Sequence, residues 1–210
     1  MATQVTCDVK TNADEGSFTV VTTEGLSEIT NTKVQKKTVL RTSGDSEIGG
    51  KAFKNNSRIV VKKAGDDCET TEVTLNTTLF KNSLFNTKGE TKLTIDGTSF
   101  TKSTANMSNC DDSIQFKGGK VAGSALKMGK GDDTVTFGAN TQFANTTKIG
   151  LGKNGGSDVV EFTSAPTDGK VVINQFDKND TLIVGGESFS LDDINNGKAA
   201  EFTNIKINFA

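Results

Sequence analysis

The sequence contains no histidine, tryptophan or tyrosine, and its only proline is Pro166. Lacking histidine removes the commonest general base, the Ser-His-Asp triad and most zinc sites. Lacking tryptophan and tyrosine removes the usual stacking platforms for sugars and single-stranded nucleic acid. Hydrophobic residues make up 33% of the 210 positions, a low share for a compact globule, and no apolar run approaches the roughly 20 residues of a membrane span. The first residues show neither the basic nor the apolar region of a signal peptide. These absences predict a chain made in the cytosol, with no membrane partner, that leaves the cell by lysis or by a route reading a C-terminal signal. The net charge is −2 with both signs interspersed, so no basic stripe points to nucleic acid.

What is present is a repeat. An apolar-x-apolar triplet following a polar turn recurs as Val73-Thr74-Leu75, Leu93-Thr94-Ile95, Ile114-Gln115-Phe116, Val135-Thr136-Phe137, Val160-Glu161-Phe162 and Leu182-Ile183-Val184, at spacings of 20, 21, 21, 25 and 22 residues. Alternation at period two is the strand signal. Further apolar groups follow each triplet, such as Phe100 and Met107, or Val121 with Leu126 and Met128. A rung therefore holds at least two strands, joined by turns rich in Gly, Asn and Asp that tolerate left-handed backbone. One rung cannot bury its own inward face, whereas stacked rungs can. The pattern predicts an all-β parallel β-solenoid of about six rungs of 20–25 residues, with an antiparallel sandwich as the competing architecture. Residues 64–186 form the rungs. Residues 1–63, with strand-like runs at Phe18 to Val21, Thr38 to Arg41 and Ile59 to Val61, are expected as an irregular N-terminal β cap and attachment region. Residues 187–210 are expected as a C-terminal cap: a helical turn N-capped by Ser190 and stopped by Gly197, then a strand from Phe202 to Phe209. The thirteen phenylalanines fall mostly at inward positions.

The cysteines, Cys7, Cys68 and Cys110, are odd in number and lack metal-type spacing. The strands after Cys68 and Cys110 lie two rungs apart, about 9.6 Å at 4.8 Å per rung. A disulfide needs Cα atoms within about 7 Å, so free thiols are expected.

Acidic turns precede several triplets: Gly65-Asp66-Asp67, Asp111-Asp112, Gly131-Asp132-Asp133, Gly156-Ser157-Asp158 and Asp177-Lys178-Asn179-Asp180. Stacked turns of this kind let each aspartate accept backbone N–H bonds. They also place acid pairs side by side without any catalytic purpose, and with no sugar-stacking aromatics they do not point to a glycosidase. The run Gly129-Lys130-Gly131-Asp132-Asp133-Thr134-Val135 resembles the nonapeptide of the repeats-in-toxin (RTX) β-rolls. The resemblance extends over about residues 108–195, with Cys110, Asn154 and Lys178 standing where that family has glycines. It implies calcium as cofactor, a hard ion suited to carboxylate and carbonyl oxygens, with Asp133 and Asp158 as the leading pair and Asp112 and Asp180 as further ligands. Composition and rod-like fold are also similar to small solenoid proteins of cyanophage particles. That resemblance implies a non-enzymatic virion protein that decorates a capsid or associates with a tail, is oligomeric or assembly-bound, and has other structural proteins as partners. The alternative is a secreted RTX-type or surface-layer module, located outside the cell.

Overall fold

Each apolar triplet meets its equivalent one turn further along the chain. Val73 pairs with Leu93, Leu93 with Ile114, Ile114 with Val135, Val135 with Val160 and Val160 with Leu182, every pair in parallel register. This is a parallel β-solenoid. In the described residues one strand pair is antiparallel, Thr181–Val184 with Glu187–Phe189 at the C-terminal end. The computed structural model describes residues 3–7, 19–23, 27–31, 35–36, 38–62, 68–153 and 156–210, with side chains described at Ile29 and from Thr38 onward.

The chain winds through three sheets. Sheet one has ten strands and includes Ser46–Gly50, Thr71–Thr77, Thr91–Ile95, Ser113–Phe116, Thr134–Phe137, Val159–Phe162 and Thr181–Val184. Sheet two has six short strands, among them Phe53–Lys54, Leu79–Lys81, Ser99–Thr101, Gly119–Ala122 and Thr141–Ala144. Sheet three has nine, including Arg58–Lys62, Leu84–Lys88, Thr104–Asn106, Ala125–Lys127, Thr146–Gly150, Lys170–Phe176 and Ile205–Phe209. A full rung thus has three strands, one more than the minimum read from the apolar spacing. Strands on both sides of residue 63 share all three sheets, as Ser46–Gly50 pairs with Thr71–Thr77 and Arg58–Lys62 with Leu84–Lys88.

The core is a narrow column of inward side chains. Phe116, Phe137 and Phe162 occupy one register position of sheet one and stack with ring centroids 5.1 and 5.0 Å apart. Phe53, Phe80 and Phe100 share one register position of sheet two, Phe80 and Phe100 stacked at 5.2 Å and Phe53 tilted against Phe80 at 6.1 Å. All six are buried. Because every inward residue has an equivalent above and below, aromatic stacking adds to area burial along the axis.

Two ends are closed differently. Residues 163–169, between Val159–Phe162 and Lys170–Phe176, form no strand, so Thr141–Ala144 is the last strand of sheet two. Buried Pro166 lies in that segment, and a residue without an N–H cannot continue a ladder. At the C-terminus, helix α1 (Leu191–Asn195) carries the expected cap. The Ser190 side chain accepts the Asp193 N–H, and the Asp193 carboxylate accepts the Ser190 N–H. The following strand, Ile205–Phe209, pairs in parallel with Lys170–Phe176.

The expectation of free thiols at Cys68 and Cys110 is corrected: they form a disulfide, with Cα atoms 5.7 Å apart. The rung register stands. What fails is the assumption that corners rise in step with strands. The intervening rung turns from Leu84–Lys88 to Thr91–Ile95 through Gly89 and Glu90 alone. The longer corners on either side close over it: the Ser108 hydroxyl donates to the Gly89 carbonyl at 3.0 Å, and the Thr70 hydroxyl to Glu90 at 2.7 Å.

Two measurements check this architecture. Phe137→Ala removes a fully enclosed ring between two others and should lower unfolding free energy by about 3–5 kcal/mol in urea titration, while Thr136→Ala on the outer face should change it by less than about 0.5 kcal/mol. Thiol titration in denaturant should find one reactive cysteine per chain before reduction and three after it. Reduction should cost about 4 kcal/mol on the chain-entropy account of a cross-link spanning 42 residues.

Candidate functional site: the acidic corner

The corner leading from sheet three into sheet one gathers all four aspartates singled out from the sequence. Asp112, Asp133, Asp158 and Asp180 sit just before successive strands of sheet one, and all are buried. They form a ladder. The Thr91 N–H donates to Asp112 Oδ1 (2.6 Å), the Asp112 N–H to Asp133 Oδ1 (2.8 Å), the Asp133 N–H to Asp158 Oδ1 (2.9 Å) and the Asp158 N–H to Asp180 Oδ1 (3.0 Å). Asp133 and Asp158 thus stand one rung apart, joined by a backbone N–H to carboxylate bond. An outer ladder runs beside it, in which the Asp132 N–H donates to Asp111 and the Ser157 N–H to Asp132, both at 2.8 Å.

The glycines of the motif serve this stacking. Gly129 and Gly131 have φ of 115° and 117°, and a Cβ on either would overlap main-chain atoms of the rung before, at Ser108 and Cys110. Only glycine combines that backbone with that approach.

The remaining carboxylate oxygens decide whether the corner fits calcium. Asp112 Oδ2 accepts the Ser108 N–H and hydroxyl, and Asp180 Oδ2 accepts the Asp177 N–H. Asp133 Oδ2 is buried without a partner. Calcium takes six to eight oxygens, and here most carboxylate oxygens face N–H donors. Among the described residues no group of three or more acids or cysteines converges on a common point. As built, the donor set fits turn-holding hydrogen bonds and does not fit a calcium ion.

Electrostatics follow from burial. Desolvation pushes the Asp133 carboxyl from 3.8 up to about 8, opposed by the Asp112 N–H and reinforced by Asp158, Asp112 and Asp111. Desolvation likewise raises Asp158 to about 7 and Asp112 to about 6, and raises Asp180. Stacked carboxyls in low dielectric cannot all ionise, so protons are retained near neutrality.

The folded structure also sorts charge, which the sequence conceals. The described strands of sheets two and three carry lysine or arginine and no acid. The acids lie on sheet one, as at Glu47, Glu72 and Glu161, at the corners, or in the C-terminal segment, as at Asp192, Asp193 and Glu201. Successive strands a few residues apart belong to different sheets, so interspersed signs separate in space. No described helix is long and apolar enough to cross a membrane. Comparison with protein-family models, curated proteins and solved structures returned no match.

The raised carboxyls set the pH dependence. An acid that binds its proton more tightly when folded contributes stability in full below the unfolded value of about 4, and that stability is lost as pH rises through the folded value. The ladder's contribution should therefore decline from about pH 4 to about pH 8. Asp133→Asn should flatten that slope in thermal melts and match or exceed the parent's Tm at pH 8. A parent melting curve independent of pH across this window would show that the carboxyls ionise freely.

Proposed function

We propose that this chain is a non-enzymatic structural protein of a bacteriophage particle, a β-solenoid that decorates the capsid or associates with the tail. The observation that carries this reading is where the chain's reactive groups are spent. The buried aspartates and serines hydrogen-bond rung to rung, and two of the three cysteines cross-link corners. The outer faces are left as flat, repeated polar arrays of the kind solenoids use for binding. Among the described residues Thr3–Cys7 is the outermost strand of sheet one at that end, a natural place for a partner strand to add.

The second reading is a secreted RTX-type or surface-layer module. It rests on the Gly129 and Gly131 turns and on the Cys68–Cys110 disulfide, a bond characteristic of oxidising compartments.

Mass spectrometry of virions purified from the source separates the two. Recovery of this chain at fixed stoichiometry to the major capsid protein, with a Tm unchanged by EDTA, is the expected result. Absence from particles, presence in phage-free supernatant and an EDTA-induced fall in Tm would establish the second reading.

A further inference from the structure

Sheet three presents one broad face of the rod, and its outward charges are all positive. Arg58, Lys62, Lys88, Lys127, Lys148 and Lys206 are exposed, and none takes part in an ion pair among the described residues. Their positions follow from the register. Lys62 and Lys88 are direct neighbours. Lys148 aligns with Ala125 and Val172, and Val172 with Lys206, placing Lys148 and Lys206 two rungs apart, about 9.6 Å. Lys127 sits one rung from Lys148 and two residues along.

Between the cations run two pairs of amides, Asn86 with Asn106 and Asn174 with Asn208, separated by Lys127 and Gly150. Asn86, Asn106, Lys127, Gly150, Asn174 and Asn208 share one register position. Asn106 Nδ2 donates to Asn86 Oδ1 at 3.0 Å and Asn208 Nδ2 to Asn174 Oδ1 at 2.8 Å. The strip from Arg58–Lys62 to Ile205–Phe209 spans seven strands, roughly 30 Å by 15 Å at ordinary strand dimensions.

We propose that this face binds a linear acidic polysaccharide, a chain of uronate type. Charge complementarity supplies the attraction, and the lysine ammonium groups meet carboxylates as mobile point charges. The two amide pairs add N–H and C=O groups of the kind that match sugar hydroxyls. With no exposed tyrosine or tryptophan in the chain, the rings are held by charge and hydrogen bonds and lie flat along the strip. Duplex nucleic acid fits less well: the sequence pI is about 5.3, where nucleic-acid domains are strongly basic throughout, and a flat face reaches few phosphates of a convex helix. The proposal does not depend on the chain belonging to a particle.

The test uses the full chain, with polygalacturonate, neutral dextran and a 20-base-pair DNA duplex as probes in affinity electrophoresis. Polygalacturonate should bind, weakening about tenfold between 50 and 200 mM salt as screening grows. Lys127→Glu with Lys148→Glu should weaken binding by at least about tenfold with an unchanged melting curve, as expected for exposed substitutions. Lys127→Gln with Lys148→Gln should weaken it less, and Lys92→Glu on sheet one should leave it unchanged. Absence of polygalacturonate binding overturns the proposal. So does equal loss in the Lys92→Glu variant, or tighter binding of the duplex than of the polyuronate.

Discussion

Everything in this molecule depends on the vertical hydrogen bond between equivalent residues of successive rungs. A rung has no partner for its own N–H and C=O groups, nor a second layer to cover its inward side chains. Both needs are met by the next rung. The constraint has a strict consequence: whatever stands at a corner must be compatible with the same thing one step above. Phenylalanine satisfies it by stacking, as at Phe116, Phe137 and Phe162. Serine satisfies it because one hydroxyl both donates and accepts. The Ser103 hydroxyl donates to the carbonyls of Thr101 and Phe80 while accepting the Ser83 N–H, and Ser124 repeats the pattern toward Phe100 and Ser103.

Aspartate satisfies the same constraint at a cost. Its Oδ1 takes the N–H of the preceding rung, but stacking four carboxyls in a buried corner sets like charges against one another. Desolvation and mutual repulsion then hold protons on groups that would be ionised in water. The second oxygens show how the corner manages this. Ser108 and the Asp177 N–H serve those of Asp112 and Asp180, near the two ends of the ladder, and the orphaned oxygen is that of Asp133 in its middle.

The register was legible from the sequence because each sheet-one strand from Thr71–Thr77 to Thr181–Val184 carries two buried apolar residues at period two, even where a buried Thr such as Thr71 or Thr91 shares that face. The triplets from Val73 to Val184 therefore mark every rung from the fourth strand of that sheet onward. The acidic corner was legible for the same reason, since its aspartates keep a fixed offset from each triplet. Sheet two was not legible as a separate layer: its strands run two to four residues, too short to show a period. The disulfide was hidden because it depends on corner length, and the two-residue corner at Gly89 and Glu90 is not marked by any apolar pattern. The positive face was hidden because charge segregates by face only once the three-sheet winding is known. Lys127 and Asp132, five positions apart in sequence, fall on sheet three and on the corner beyond it.

The two polar ladders divide the rod between them. In the corner from sheet two to sheet three the Thr38 N–H donates to Ser57, and a serine ladder runs from Ser83 through Ser103 to Ser124. Beyond it the equivalent place is taken by buried Thr147, whose hydroxyl has no partner. The aspartate ladder begins at Thr91 and ends at Asp180. They overlap on the rungs between Thr91 and Ser124, and the Cys68–Cys110 bond spans the corners where the aspartate ladder starts. A one-dimensional fold is limited by its weakest interface, because each rung touches only its neighbours. Overlapping the ladders, and placing the cross-link where one takes over from the other, sets a buried polar ladder across every interface from Ser83 to Asp180.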